Sequence, residues 1–166
     1  MAYRDYEEFI AALNTQGVRY LVIGAHAVAF HARPRATKDL DILLDASPAN
    51  AKRALAALRE FFGNVELGYT VRDLTTPGWF VQLGVAPVRI DLLSSMAGCP
   101  SFDAAWERRI EARFGTVKTY YVGLDDLIRA KEAAGRIQDR ADVRVLSRVK
   151  TGARQAKRST RRPGKR

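Results

Sequence analysis

The segment Thr37–Leu44 places two carboxylates two positions apart inside an otherwise apolar run. Successive residues of a β-strand point to opposite faces of the sheet, so Asp39 and Asp41 share one face. Two neighbouring anions on a mostly buried strand repel each other and are costly to remove from water. A divalent cation held between them and a phosphate-bearing substrate would relieve this repulsion. The alternative is an edge strand in water, or an aspartate that caps a turn, although the apolar residues 42–44 argue against full exposure.

A glycine turn lies upstream of this segment. Tyr20–Ile23 is typical of a buried strand, and Gly24 begins a turn into a small-residue helical segment, residues 25–32. Free N–H groups at the start of a helix, together with the helix dipole, suit a phosphate group. Most turns of this kind hold no ligand, so Gly24 and Ala25 indicate a site only in combination with the aspartates.

A third carboxylate, Asp91, is embedded in the strand-like run Val88–Leu93. Strand alternation places Arg89 and Asp91 on the same face. A neighbouring strand would bring Asp91 beside the Asp39 and Asp41 pair. The alternative is an ion pair of Arg89 with Asp91, or another ion pair across the strands.

Lys131 falls on the apolar face of a predicted helix, three and four residues after Ile128 and Leu127. A lysine on an inward face either extends its ammonium out to water or meets an anion. Asp139 and Asp142 lie one turn apart at the start of the next predicted helix. Their simplest role is favourable charge near a helix N-terminus.

The histidines and the single cysteine do not form a recognisable metal or disulfide pattern. His26 and His31 are five residues apart, which is wrong for two ligands on one helical face, and we interpret them as packing or substrate-contact residues. Cys99 is the only cysteine, which excludes an intrachain disulfide and argues against a structural zinc site. A reducing cytoplasm fits this composition.

Hydrophobic periodicity predicts an α+β (or α/β-like) domain with a mixed sheet flanked by helices. No apolar stretch is long enough to span a membrane, and the acidic N-terminus lacks a signal-peptide pattern. The predicted elements are a helix ending near Gly17, a helix starting at Ser47-Pro48, strand-like residues 65–94 with a hairpin at 84–87, a helix over 102–110, a strand over 117–122, and helices over 125–134 and 139–149.

The net charge of +10 is concentrated at the C-terminal end of the chain. Residues 147–166 carry nine positive and no negative charges, which leaves a net charge of +1 on residues 1–146. We therefore predict a domain over 1–146 and a basic tail over 147–166, with the last helix running to about 149 and disorder beyond Gly152. The tail would contact nucleic acid or serve only as a solubilising end.

The order of glycine turn, Asp-x-Asp strand and later strand aspartate resembles the nucleotidyltransferase fold of the DNA polymerase β superfamily. That family has a hydrophobic residue, Gly, then Gly or Ser, a short gap, an acidic-x-acidic pair and a third carboxylate on a later strand. The sequences of Gly24–Asp41, Arg89–Leu93 and Leu127–Asp139 also resemble those of small bacterial nucleotidyltransferases grouped near the AbiEii-type abortive-infection proteins. The resemblance covers roughly Tyr3 to Leu146.

The resemblance implies a Mg²⁺- or Mn²⁺-dependent enzyme that transfers a nucleoside monophosphate from an NTP to a hydroxyl acceptor. Asp39 and Asp41 would bind the metal ion, and Asp91 would complete a second metal position or act as a base. Nucleotide-binding candidates are Gly24, Ala25, His26, Arg35, Thr37, Lys38 and Lys131. Weaker candidates, with caps and surface ion pairs as their alternatives, are Arg33, Arg136 and Asp139.

One position departs from the family pattern, because Ala25 stands where the family has Gly or Ser. A backbone N–H contact to phosphate is retained there, whereas a serine hydroxyl contact is lost.

Two functions therefore compete. In the first, the protein is an enzyme whose acceptor is a tRNA end, a protein side chain or a small molecule. The resemblance implies a toxin–antitoxin or phage-defence system as its context. In the second, the protein is catalytically silent and binds nucleic acid or a partner protein through its basic tail. Enzyme activity would require all three aspartates, whereas binding by the tail would survive their loss and weaken steeply with salt.

Overall fold

The computed structural model describes residues 2–160, which form a six-stranded sheet with helices packed against it. In chain order the elements are α1 (Ala2–Thr15), β1 (Tyr20–Val22), α2 (Gly24–His31), β2 (Asp39–Leu44), α3 (Pro48–Phe61), α4 (Val71–Thr75), β3 (Phe80–Val85), β4 (Val88–Leu93), α5 (Phe102–Glu107), β5 (Ile110–Phe114), β6 (Val117–Tyr121), α6 (Leu124–Ala134) and α7 (Ile137–Thr160).

The sheet is mixed, with the strand order β3-β4-β2-β1-β6-β5. The β2–β4 and β1–β6 pairs are parallel, and the three other neighbouring pairs are antiparallel. The predicted fold class, a mixed sheet flanked by helices, is confirmed. β2 and β1 lie at the centre of the sheet, so the strand that carries Asp39 and Asp41 is not an edge strand.

Local sequence explains the helices that support the sheet. α1 buries Tyr6, Phe9, Ile10 and Leu13, whose spacing forms one apolar face. α3 begins as predicted, because the Ser47 hydroxyl accepts a hydrogen bond from the first turn and a proline occupies the first helical position. None of the helices in residues 2–160 has an apolar stretch long enough to cross a lipid bilayer.

Two predicted segments were wrong. Residues 71–75, within the strand-like stretch, form the short helix α4, which begins with a reciprocal capping box between Thr70 and Asp73. The helix predicted over 102–110 ends at Glu107, and residues 110–114 form β5. Apolar periodicity alone did not predict the capped helix α4 or the short β5–β6 hairpin.

The C-terminal helix is also longer than predicted. α7 continues to Thr160 instead of ending near 149, so the expected disorder is not found over residues 153–160. These residues are rich in Ala, Arg, Lys and Gln, which are good helix formers without any packing partner. Low apolar content removed the packing signal but not the helical propensity. The prediction for residues 161–166 lies outside the described residues.

Candidate functional site

The register of the central strands brings the three aspartates to one region of the sheet. Asp41 on β2 pairs directly with Asp91 on β4, and Asp39 pairs with Arg89. Alternation along each strand then places all four side chains on the same face. Asp91 therefore lies beside Asp39 and Asp41, as expected. This proximity depends on the parallel pairing of two strands whose paired residues are 50 positions apart in the chain.

These carboxylates line a cavity of about 620 Å³, which we call the aspartate cavity. It also takes in the start of α2, the segment before β2, and residues of α6 and α7. Ten of the sequence-predicted site residues line it, namely Gly24, Ala25, Arg35, Thr37, Asp39, Asp41, Asp91 and Lys131, together with the weaker candidates Arg136 and Asp139.

Asp41 has a strongly shifted pKa. Burial, followed by the charges of Asp91 and Asp39, raises its pKa to about 6. Lys131 and Arg136 oppose this increase but do not cancel it. Like charges on a half-buried strand face therefore produce the repulsion that the sequence pattern indicated.

Asp39 has a cationic partner that the sequence left open. Arg89 donates from Nε to Asp39 Oδ1 at 2.6 Å and from Nη2 to Oδ2 at 3.0 Å. The hydrogen bond to Asp39 and the charge of that carboxylate raise the pKa of Arg89 above its usual value. Strand alternation had placed Arg89 on this face, but only the register shows that it pairs with Asp39 and not with Asp91.

Asp91 accepts a hydrogen bond from Gln82 Nε2 at 3.0 Å. Gln82 lies opposite Asp91 in the β3–β4 hairpin. Sequence reasoning identified the hairpin but did not single out this residue. Counting back along the two strands from the turn would have found it, because hairpin register follows from the turn.

Gly24 determines how closely α2 approaches the aspartates. Its φ is +63°, and a Cβ added there would lie 2.0 Å from Asp41 Oδ2. Glycine is therefore required both by the backbone conformation and by the neighbouring carboxylate. The α2 helix begins at Gly24 without a side-chain cap, and Gly24 and Ala25 line the aspartate cavity, so the first-turn N–H groups are not taken up by a capping side chain.

Lys131 does not extend into water but meets two buried carboxylates. Its Nζ lies 3.0 Å from Asp139 Oδ1 and 3.0 Å from Asp142 Oδ2. Arg35 Nη1 binds both oxygens of Asp142, at 2.7 and 2.8 Å, and Arg136 Nε binds Asp139 at 2.7 Å. Lys131, Arg35 and Arg136 therefore reach the aspartate cavity as cations that are already paired.

Asp139 and Asp142 do more than supply charge near a helix N-terminus. Both are almost fully buried between α6 and α7. Burial favours their neutral forms, but hydrogen bonds from Arg136 and Lys131 bring the pKa of Asp139 below its usual value, and those from Lys131 and Arg35 lower that of Asp142. Their spacing of one turn was the available signal for a shared partner.

Three sequence candidates lie outside the aspartate cavity, namely His26, Lys38 and the exposed Arg33. Lys38 is exposed, and its carbonyl accepts a hydrogen bond from the Tyr6 hydroxyl at 2.6 Å. His26 is buried beside Phe114, where burial lowers its pKa despite the charge of Asp39. Lys38 is one position from Asp39, so strand alternation turns it away from the acids. His26 instead lines a second cavity.

Thr37 organises the start of β2. Its Oγ1 lies within hydrogen-bond distance of both the backbone nitrogen and the carbonyl oxygen of Asp39, at 3.3 and 3.2 Å. The side chain also lines the aspartate cavity. Thr37 therefore positions the Asp39 backbone directly.

In this conformation, no group of three or more His, Cys, Asp or Glu side chains within residues 2–160 is arranged to hold a metal ion. Asp41 and Asp91 nevertheless fit a divalent cation, because they are paired carboxylates with mutual repulsion beside an uncapped helix start. Asp39 would join them as a ligand once its carboxylate leaves Arg89. The donor set is therefore compatible with Mg²⁺ or Mn²⁺, which prefer oxygen ligands.

A family model described as a nucleotidyltransferase of unknown function (DUF6036) matches residues 4–150. The chain belongs to this family. A crystal structure of a candidate nucleotidyltransferase from Thermotoga maritima matches this chain with a TM-score of 0.54. It is 16% identical, and the match covers 85% of this chain and 89% of that chain, which shows a shared fold. No curated protein matches the sequence. The predicted superfamily is thus confirmed.

Proposed function

We propose that this family member transfers a nucleoside monophosphate from an NTP to a hydroxyl acceptor, with Mg²⁺ or Mn²⁺ as cofactor. The observation that carries the proposal is the direct pairing of Asp41 with Asp91 beside Gly24 at the start of α2. It combines a cation site with N–H groups suited to phosphate oxygens. Asp41 and Asp91, joined by Asp39, would hold the cation, which would supply positive charge against the negative charge that develops during transfer.

The residues of this chain would divide the remaining work. The first-turn N–H groups at Gly24 and Ala25 would hold phosphate oxygens. Asp91 would accept the proton of the acceptor hydroxyl while the oxygen of that hydroxyl forms a bond to the α-phosphorus. The bond between the α-phosphorus and the bridging oxygen then breaks, and pyrophosphate leaves with the electron pair. Lys131 and Arg35 would compensate phosphate charge by donating hydrogen bonds both to phosphate and to the aspartates that they already contact.

A labelling experiment tests this proposal. Each of the four NTPs, labelled on the α-phosphate, is incubated with the protein, Mg²⁺ or Mn²⁺, and candidate acceptors: tRNA, protein and small hydroxyl compounds. We expect label transfer by the parent and none by Asp41→Asn or Asp91→Asn. Asp103→Asn, a conservative change at an exposed carboxylate outside the cavity, is the matched control. Equal labelling by the parent and the Asp41→Asn variant would contradict the proposed site.

The finer assignments belong to the same proposal. The resemblance to AbiEii-type proteins supports an acceptor in RNA or protein within a toxin–antitoxin or phage-defence system, acting in the cytoplasm. Transfer to tRNA, but not to small hydroxyl compounds, would support this subgroup. Transfer only to a small molecule would contradict it.

A second candidate function rests on the exposed part of α7, residues 147–160, which we call the basic helix extension. Twelve of these fourteen residues are exposed, and the segment carries five cations and no acid. Such a surface fits the phosphate backbone of a nucleic acid, with or without catalysis at the aspartates.

The variant Arg154→Gln/Lys157→Gln/Arg158→Gln tests this binding role in the full chain, because glutamine retains helical propensity. If all three cations contact phosphate, the slope of log K against log salt for single-stranded RNA should fall by about 2. The variant Arg4→Gln/Arg72→Gln/Arg140→Gln removes the same charge elsewhere on the surface and is the control. Identical salt slopes in both variants would reject a binding role for the basic helix extension.

A further inference from the structure

A second cavity, of about 380 Å³, adjoins the aspartate cavity. Arg35 and Thr37 line both cavities, so the segment before β2 lies between them. The second cavity also takes in one face of α2 and the end of β5, and we call it the aromatic cavity. Its volume is in the range that binds small organic ligands.

Two pairs of aromatic rings form much of its wall. Phe30 stacks on Tyr121 with ring centroids 4.2 Å apart and planes 4° apart. Tyr3 stacks on Phe114 with centroids 5.0 Å apart and planes 26° apart. Phe30 is 40% exposed and Tyr3 is 59% exposed, so flat apolar faces remain available to a planar ligand. Stacking on such faces is how proteins bind nucleobases without dependence on their identity.

The aromatic cavity also contains an unused polar group. His26 is 8% exposed, and its Nε2 is buried without a hydrogen-bond partner among residues 2–160. The ring lies 5.0 Å from that of Phe114, between centroids. Burial lowers the pKa of His26, so the neutral ring has one donor and one acceptor nitrogen at neutral pH. A polar ring therefore lies in the wall of the aromatic cavity beside its apolar ring faces.

We propose that the aromatic cavity binds the base of the NTP whose phosphates occupy the aspartate cavity. The inference rests on the proposed function. Phe30 lies six residues after Gly24 on α2, a separation of about 9 Å along the helix axis, comparable to the distance between the phosphates and the base of a nucleotide. One helix thus presents its N-terminus to the phosphates and an aromatic face to the base.

The test compares ligands with and without a base. Calorimetric titrations in Mg²⁺ measure the affinities of the four α,β-methylene NTP analogues, which resist transfer, and of inorganic tripolyphosphate. The parent is compared with Phe30→Ala and with Phe30→Leu, which retains an apolar side chain and guards against a folding defect. Phe62→Ala removes a partly buried aromatic ring outside the aromatic cavity and is the control.

We expect Phe30→Ala to weaken binding of the analogues about 5- to 150-fold, the range for loss of one base–aromatic stack. Phe30→Leu should weaken it in the same direction, while tripolyphosphate affinity stays unchanged in both variants. Unchanged analogue affinity in both Phe30 variants would overturn the inference even if tripolyphosphate binds. Tripolyphosphate binding that is absent, or indifferent to Asp41→Asn, would instead count against the proposed function. A nucleoside without phosphates that binds the parent but not Phe30→Ala would then still support the aromatic cavity as a base site.

Discussion

Replacing Gly24 with alanine should disturb the aspartate cavity beyond its effect on the backbone, and a second glycine allows the two effects to be separated. Gly24 and Gly63 have nearly equal φ angles, +63° and +67°. A left-handed conformation costs an L-residue about 1–2 kcal/mol, so both alanine variants carry this penalty. A Cβ at Gly63 meets nothing within 4 Å, whereas one at Gly24 lies 2.0 Å from Asp41 Oδ2 and 2.7 Å from Asp41 Cγ.

The difference between the variants therefore measures the contact with Asp41. Overpacking of this kind costs about 1–3 kcal/mol, because the neighbour must leave its position. For a chain of this size, 1 kcal/mol lowers Tm by about 2–4 °C, so Gly24→Ala should melt roughly 2–12 °C below Gly63→Ala. Circular dichroism melts give both values under identical conditions.

Binding should separate the variants more clearly than stability. Asp41 has to move in Gly24→Ala, so we expect its affinity for Mg²⁺-tripolyphosphate to fall by at least about tenfold, which is 1.4 kcal/mol, while Gly63→Ala binds like the parent. In an Asp41→Ala background the extra destabilisation by Gly24→Ala should shrink, because the contacts with the carboxylate are gone and only the contact with Cβ of residue 41, at 3.0 Å, remains. Equal Tm and equal affinity in the two glycine variants would refute the close approach of α2 to Asp41.

Two further predictions concern the carboxylates themselves. The pKa of Asp41 is raised from 3.8 to about 6 in the fold, so the folded state binds this proton more tightly than the unfolded state does. The free energy of unfolding that this proton contributes is fully present below about pH 4 and is lost as the pH rises through 6. Asp41→Asn should thus gain up to about 3 kcal/mol relative to the parent between pH 4 and pH 7 in urea unfolding, and a pH-independent difference would contradict the raised pKa. Arg89→Gln should bind Mg²⁺ more tightly because Asp39 is released, and it should lose no more than about 1 kcal/mol of stability, since the pair is partly exposed. Weaker Mg²⁺ binding by Arg89→Gln in calorimetry would show that Arg89 supports the cation site instead of competing with it.

Strand alternation was sufficient to predict which carboxylates share a face. It places Asp39 with Asp41, and Arg89 with Asp91, whatever the fold around them. It could not predict that Arg89 binds Asp39, because this depends on the register of a parallel pair separated by α3, α4 and β3. A shift of one residue would have reversed the faces, and no local signal specifies a parallel register.

The surroundings of Lys131 show a similar division. Helical spacing places its side chain on an inward face, but its partners lie beyond Gly135, where a left-handed glycine ends α6. The turn brings Asp139 and Asp142 back against Lys131. Spacing identifies a face, whereas the angle between two helices comes from tertiary packing and is not written in either helix alone.

The ion pairs around the aspartate cavity are the strongest reason to expect a cation there. Arg89 is taken up by Asp39, and Lys131, Arg35 and Arg136 are held by Asp139 and Asp142. Within residues 2–160, Asp41 and Asp91 have no basic side chain in salt-bridge contact, and they are the two that lie directly opposite each other. The negative charge left over is therefore at the start of α2, where phosphate is also favoured. A divalent cation bound there would neutralise the two carboxylates and attract phosphate at the same place, which is the arrangement that the proposed function requires.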